Sequence, residues 1–268
     1  MTELTITVLD APASSLHKTS VLVTGETEAV LVDAGFTRAD GHRITAAILD
    51  AGKTLTTVLV TGGDPDFYFG AEVIADAFPE ARFLAPSDVI EHIRHSYEGK
   101  LRAWAHLGAN LPTRLVELTA FDGGEIAIDD RSVELRSAGD DLGDRRWFVY
   151  DAAQRAIFGG ILLFEGLHAW TADTGTSEAR SRWLRALDAF ESLDPSFVVA
   201  GHRVADAPTD RTAIEYTRAY LKRFEDIVAA SVDAAAAEQT LLAEYPEAGL
   251  QIAASLGTKV AKGEMSWG

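Results

Sequence analysis

The chain has 268 residues, 47% of them hydrophobic, enough to bury one large core. Its 24 lysines and arginines stand against 41 aspartates and glutamates, a formal charge of −17 at pH 7, which repels phosphate backbones and anionic lipid and argues against nucleic-acid or membrane partners. Cysteine is absent, which excludes disulfides, thiolate metal ligands and a cysteine nucleophile, so any metal site must be built from His, Asp and Glu.

The opening residues Met1-Thr2-Glu3-Leu4-Thr5 carry no basic patch or apolar run of a secretion signal, and no stretch reaches the roughly 18 apolar residues that span a bilayer. A cytoplasmic protein is therefore expected. Leu4–Leu9, Ser20–Thr24 and Ala29–Val32 read as strands, the last ending at Asp33-Ala34-Gly35. Ile44, Ala47, Ile48 and Ala51 at helical spacing predict a helix over Ala39–Ala51 with Gly52 as its stop. Thr57–Val60 is an unbroken apolar run of the kind buried on both faces of a layered sheet. It leads into the loop Thr61-Gly62-Gly63-Asp64-Pro65-Asp66 and a helix from about Phe69 to Ala77.

A strand at Arg82–Ala85 precedes a helix capped by Ser87 and a further helix over Tyr97–Leu107. From Arg114 to Phe164 the pattern is β, with strands expected at Leu115–Leu118, Glu125–Ile128, Val133–Arg136, Trp147–Tyr150 and Ala156–Phe158. The last third returns to helix at Ser177–Phe190, a strand at Phe197–Ala200, and a long helix from about Arg211. Without a long linker or repeat, residues 1–268 read as one domain with a helical extension over about 210–256. Composition and periodicity alone give a layered α/β fold.

The loop after the buried strand carries the chemistry. Two aspartates two residues apart, with Pro65 fixing the backbone between them, can present ligands at a sheet edge. The stretch T-G-G-D-P-D-F-Y-F-G resembles the T-H-x-H-x-D-H-x-x-G loop of the metallo-β-lactamase superfamily: Thr61, Asp66 and Gly70 match, while Gly62, Asp64 and Phe67 hold the histidine positions. Leu31-Val32-Asp33-Ala34-Gly35 is similar to the family's early L-V-D-x-G segment. Gly139-Asp140 falls at its Gly-His, Phe158–Phe164 at its F-x-G-D-x-x-F with Ile161 for the aspartate, and Val198–His202 at its closing V-x-x-G-H. The resemblance implies a four-layer αββα sandwich. Of seven ligand positions only Asp66 and His202 keep their type, so a two-zinc site is not expected.

If the resemblance holds, Asp64, Asp66, Asp140 and His202 converge. That oxygen-rich set suits no metal at all or one hard cation (Mn²⁺, Mg²⁺, Ca²⁺ or Fe²⁺). Three readings follow. A hydrolase of a small ester, thioester or lactone would use such a cation, the substrate class coming from the resemblance. A metal-free lyase, isomerase or cyclase would use a raised aspartate beside neutral His202, with Tyr68 as a further donor. A non-catalytic binding protein would line the old metal position with Phe67, Tyr68, Phe69 and Ile161. His168 and Trp170 follow the altered Ile161 segment and are expected at the substrate. Against these stand plainer roles: Asp64 and Asp66 as helix caps, Asp33 as a strand-end hydrogen-bonding group, Asp140 and Asp141 as a solvated turn. Trp104 and His106 are candidate lid residues, and the Ser87–Leu107 segment or the C-terminal helices can supply a homodimer face.

Overall fold

The computed structural model describes residues 3–267. Chain order begins with β1 (Thr5–Asp10), β2 (Thr19–Thr24), β3 (Glu28–Val32), β4 (Thr54–Leu59), β5 (Arg82–Ala85) and β6 (Thr119–Ala120), which lie side by side in that order in one sheet. β1 to β3 pair antiparallel, and β3 to β6 pair parallel. Parallel neighbours need crossovers, and helices supply them: α1 (Arg38–Ala51), the short α2 (Pro65–Tyr68) with α3 (Ala71–Ala77), and α4 (Ser87–Ala103). At the start of α1, Thr37 accepts from Asp40 N while the Asp40 carboxylate accepts from Thr37 N; Gly52 ends the helix at φ 65°.

The second sheet is built from β7 (Gly124–Ile128), β8 (Arg131–Ser137), β9 (Trp147–Asp151) and β10 (Ala156–Phe158). After the two-residue β11 (Phe164–Glu165), β12 (Phe197–Val198) joins its edge beside β10. β13 (His202–Arg203) pairs parallel with β11 apart from both large sheets. Both sheets contribute buried residues to one continuous apolar core, from Val30, Leu31 and Val58 to Val133, Val149 and Ile157. α5 (Ser177–Ser192), α6 (Thr212–Ala230), α7 (Ala234–Glu244) and α8 (Gln251–Ala261) complete the flanking layers, giving the αββα sandwich. Among the described residues, no helix is long and apolar enough to cross a membrane.

Four local expectations change. Leu115–Leu118 forms no strand. Its alternation buries Val116 and Leu118, but ladder pairing begins only at Thr119. Ser87 is the first helical residue and Pro86 holds the cap position; α4 runs unbroken to Ala103 and a 3-10 segment, Ala105–Asn110, follows. The helix after the Thr61 loop starts earlier, at Pro65, and breaks at Gly70, whose N–H donates to Gly35 O. A Cβ there would sit 2.1 Å from Ala34 O, so the close crossing requires glycine. The strand expected over Phe197–Ala200 pairs only at Phe197–Val198.

Candidate active site

β4 is buried at its C-terminal end, and the chain leaves the sheet there into the Thr61 loop. Beside it β3 ends at Asp33, held at φ 62° and wholly buried. Its Oδ1 accepts from Thr61 N at 2.9 Å and Thr61 Oγ1 at 2.7 Å. Its Oδ2 accepts from the Lys18 ammonium at 2.7 Å, with both side chains 0% exposed. Asp33 is thus the strand-end hydrogen-bonding group expected, with a buried lysine that the sequence reading did not single out.

Lys18 Nζ also lies 4.2 Å from the centre of the Phe67 ring. That ring occupies the space over Gly62: a Cβ at position 62 would fall 2.8–2.9 Å from three of its carbons. At two positions where the resembling motif has histidine, this chain therefore has an aromatic plug seated on a bare backbone. Gly63 plays a similar part outward, since a Cβ there would meet His92 of α4 at 2.7 Å. His92 Nδ1 is 2.6 Å from Asp144, and two turns along α4 Lys100 donates to Asp64 Oδ1 at 2.7 Å. One side of α4 thus clamps the loop.

Asp64 sits at the cap position of α2, yet its carboxylate caps nothing and faces Lys100 instead. Burial and then the negative charge of Asp173 push its carboxyl above the usual range, with Asp66 adding to the effect and Lys100 opposing it. The Lys100 ammonium, disfavoured by burial but favoured more by Asp64, is held charged beyond its ordinary range.

Asp66, in the first turn of α2, meets His202 at the start of β13: Oδ2 and Nε2 are 2.9 Å apart and both residues are 4% exposed. Burial works against the Asp66 carboxylate, but the hydrogen bond from His202, the charge that ring carries when protonated, and Lys18 behind them outweigh it and hold its pKa below the ordinary value. An ionised Asp66 accepts from Nε2–H, which in a neutral ring leaves the lone pair on Nδ1. That Nδ1 is buried and has no hydrogen-bond partner among the described residues. The ring is fixed by Phe164, stacked at 5.1 Å and 8°, and by the edge of Phe67 at 6.3 Å. Gly201 lets the strand approach: a Cβ there would fall 2.0 Å from Gly160 O.

Asp64, Asp66, Lys100 and His202 share the wall of a cavity of about 350 Å³. The rest of its lining is mainly apolar and aromatic, including Phe36, Trp104, Ile161, Phe164, Trp170 and Trp267. Ile161, Trp170, Trp104 and His106 all line this cavity. Four expectations are corrected in position. Asp140 is exposed in the turn after β8, so the four-residue convergence is not formed. His168 does not line the cavity. It is wholly buried, with Nδ1 3.0 Å from Tyr220 OH, and burial lowers its pKa to about 4. Phe67 lies beneath the cavity as the plug described above. The Tyr68 hydroxyl is buried without a hydrogen-bond partner among the described residues, and burial followed by the charge of Asp64 pushes its pKa far upward, which removes it as a ready proton donor.

Among the described residues, no three His, Asp or Glu side chains are placed to hold a metal ion. The donors explain why. Gly62, Phe67 and Ile161 offer none, Asp140 is elsewhere, Asp64 faces an ammonium, and Asp66 is taken by Nε2 of His202. This set does not fit a divalent cation, which needs several convergent donors.

The Metallo-beta-lactamase superfamily model matches residues 16–202. The chain belongs to that superfamily. No curated protein sequence matches it significantly. Among solved structures, a beta-lactamase domain protein from Burkholderia ambifaria is similar over 97% of this chain and 84% of that one, at 18% identity and TM-score 0.67. A metallo-beta-lactamase family protein from Thermus thermophilus matches over 97% and 93% at 17% identity and TM-score 0.65. A metallo-beta-lactamase from Pontibacter korlensis covers 83% of this chain and 96% of its own, at 17% identity and TM-score 0.56. At such identities the likeness shows the fold alone. This superfamily member is distinguished by its altered metal positions.

Sequence reasoning missed Lys18, Lys100, Phe36, Phe164 and Trp267. Phe164 was readable, since it closes the Phe158–Phe164 segment three residues after Ile161; the other four meet partners remote in sequence, and no local pattern marks them.

Proposed function

We propose that this superfamily member is a metal-independent enzyme that uses the Asp66–His202 pair for acid/base chemistry on a small molecule held in the apolar cavity. The hydrolysis of an ester, thioester or lactone suits it best. One observation carries the reading: an imidazole whose Nε2 is engaged by a buried carboxylate, whose ring is fixed by packing, and whose Nδ1 has no partner among the described residues. For the reaction a water at the cavity wall must reach this buried nitrogen, which takes its proton as the hydroxyl attacks the acyl carbon. The nitrogen can return the proton to the departing alkoxide or thiolate as the C–O or C–S bond breaks. Asp66 orients the ring and stabilises the imidazolium that forms, and the dry walls strengthen that charge interaction. The cation-assisted version of the same hydrolysis is disfavoured by the donor set.

The test is hydrolysis of p-nitrophenyl esters, aryl thioesters and aliphatic lactones by protein dialysed against chelator. Turnover should survive chelation and fall about 10²–10⁴-fold in His202→Gln. Turnover that is equal in that variant, or that needs an added metal, would count against the reading. A second reading, non-catalytic ligand binding, is favoured by the aromatic lining of the cavity; saturable binding with no turnover on that panel supports it.

A further inference from the structure

Every charged group at the cavity already has a partner of opposite sign or, for Asp66, an imidazole. Lys100 is on Asp64 at 2.7 Å and Asp66 on His202 at 2.9 Å; outside the lining, Asp173 accepts from the cavity residue Trp267 at 2.6 Å and has Arg145 at 3.6 Å. A carboxylate-bearing ligand would have to share the single Lys100 charge with Asp64, and an ammonium-bearing one would have to take Asp64 or Asp66 from its partner. The first leaves a negative charge in excess beside an apolar wall, and the second strands either the Lys100 ammonium or the Nε2–H of His202, both costly outcomes. Two kinds of capacity are unspent. The ammonium has three N–H donors, and Lys100 uses one, on Asp64, among the described residues. The Nδ1 of His202 is an acceptor without a donor among the described residues. Trp104, Trp170 and Phe36 offer broad faces to an uncharged body.

We infer that the cavity selects uncharged carbonyl compounds with an aromatic or aliphatic body, and that a free N–H of Lys100 binds the carbonyl oxygen. The inference rests on the hydrolytic reading and adds to it the substrate's charge class and the residue that polarises the acyl group. As hydroxide adds to the carbonyl carbon, the C=O electron pair moves to the oxygen, and the Lys100 N–H stabilises the resulting oxyanion without transferring its proton. The pair returns when the leaving group departs.

The test uses three probes of one shape: 1-naphthylacetamide (neutral), 1-naphthylacetate (anionic) and 1-naphthylethylammonium (cationic), titrated into the full chain by ligand-observed NMR. The amide should bind at least about tenfold more tightly than either charged probe, and Lys100→Met should weaken the amide about tenfold while Lys100→Arg weakens it less. The Asp64→Asn/Lys100→Met double variant removes the carboxylate that the single variant leaves unpaired, and should show the same loss if the fold is intact by circular dichroism. Tightest binding of the anion or cation, equal binding of all three, no binding of the amide, or an unchanged amide affinity without Lys100 overturns the inference. The two readings fail separately. Amide selectivity with no ester turnover sinks the catalytic proposal and leaves this one standing, whereas turnover of anionic and neutral esters at equal kcat/KM does the reverse.

Discussion

Replacing Lys18 by methionine removes a charge that the fold cannot replace from solvent. Its ammonium and the Asp33 carboxylate are 2.7 Å apart and both fully buried, and the remaining partners of Asp33 are the amide and hydroxyl of Thr61. Breaking one side of a buried pair costs about 3–5 kcal/mol. At this chain length each kcal/mol moves Tm by roughly 2–4 °C, so Lys18→Met is expected to lower Tm by about 6–20 °C. Asp33→Asn alone strands the lysine and should also destabilise. In the double variant an Asn oxygen can still accept from Thr61 and no charge is left alone, so the two losses should fall short of additivity by about 2 kcal/mol or more. Urea and thermal unfolding of the wild type, both single variants and the double variant close the cycle. A Lys18→Met protein within about 0.5 kcal/mol of wild type, or strictly additive losses, would refute the reasoning.

Three further outcomes are expected. Gly201→Ala places a methyl 2.0 Å from Gly160 O and should cost about 2–4 kcal/mol or abolish soluble expression, read by thermal melts. Asp66 has a folded-state pKa below its ordinary 3.8, so the stability it contributes is present above about pH 4 and is lost as pH falls through the lower folded value; the wild type's advantage over Asp66→Asn in urea should therefore shrink between pH 6 and pH 3. His168 titrates at about 4 when folded against 6.5 when free, so the unfolded chain takes its proton first and stability drains away as pH falls from 6.5 toward 4; His168→Gln should flatten that limb of the urea midpoint against pH.

Much of the sandwich was legible because it rests on local pattern. The apolar runs at Ala29–Val32 and Thr57–Val60 and the helical spacing of Ile44 and Ile48 each point to one element, and packing did not override them. The Leu115–Leu118 error shows the limit: alternation reports which side chains are buried, not whether a neighbouring strand supplies a ladder. Asp66 and His202 were readable as a pair because they keep their types within ordered motifs 136 residues apart. Asp140 was misplaced because a motif position fixes order along the chain and not where a turn points its side chain. Lys18 and Lys100 were invisible for a physical reason. A lysine in a sequence is by default a solvated surface charge, and only the three-dimensional placement of Asp33 and Asp64 turns these two into internal counter-charges.

The most direct measurement is ¹⁵N NMR of histidine-labelled protein, with His202 assigned by His202→Gln, before and after one equivalent of Zn²⁺. At about pH 8, above the ordinary imidazole range, the expected spectrum has His202 protonated at Nε2 with an unprotonated Nδ1, altered in Asp66→Asn and unmoved by zinc. A His202 protonated at Nδ1, or one whose resonances shift stoichiometrically with the metal, would contradict an acid/base pair that works without a cation.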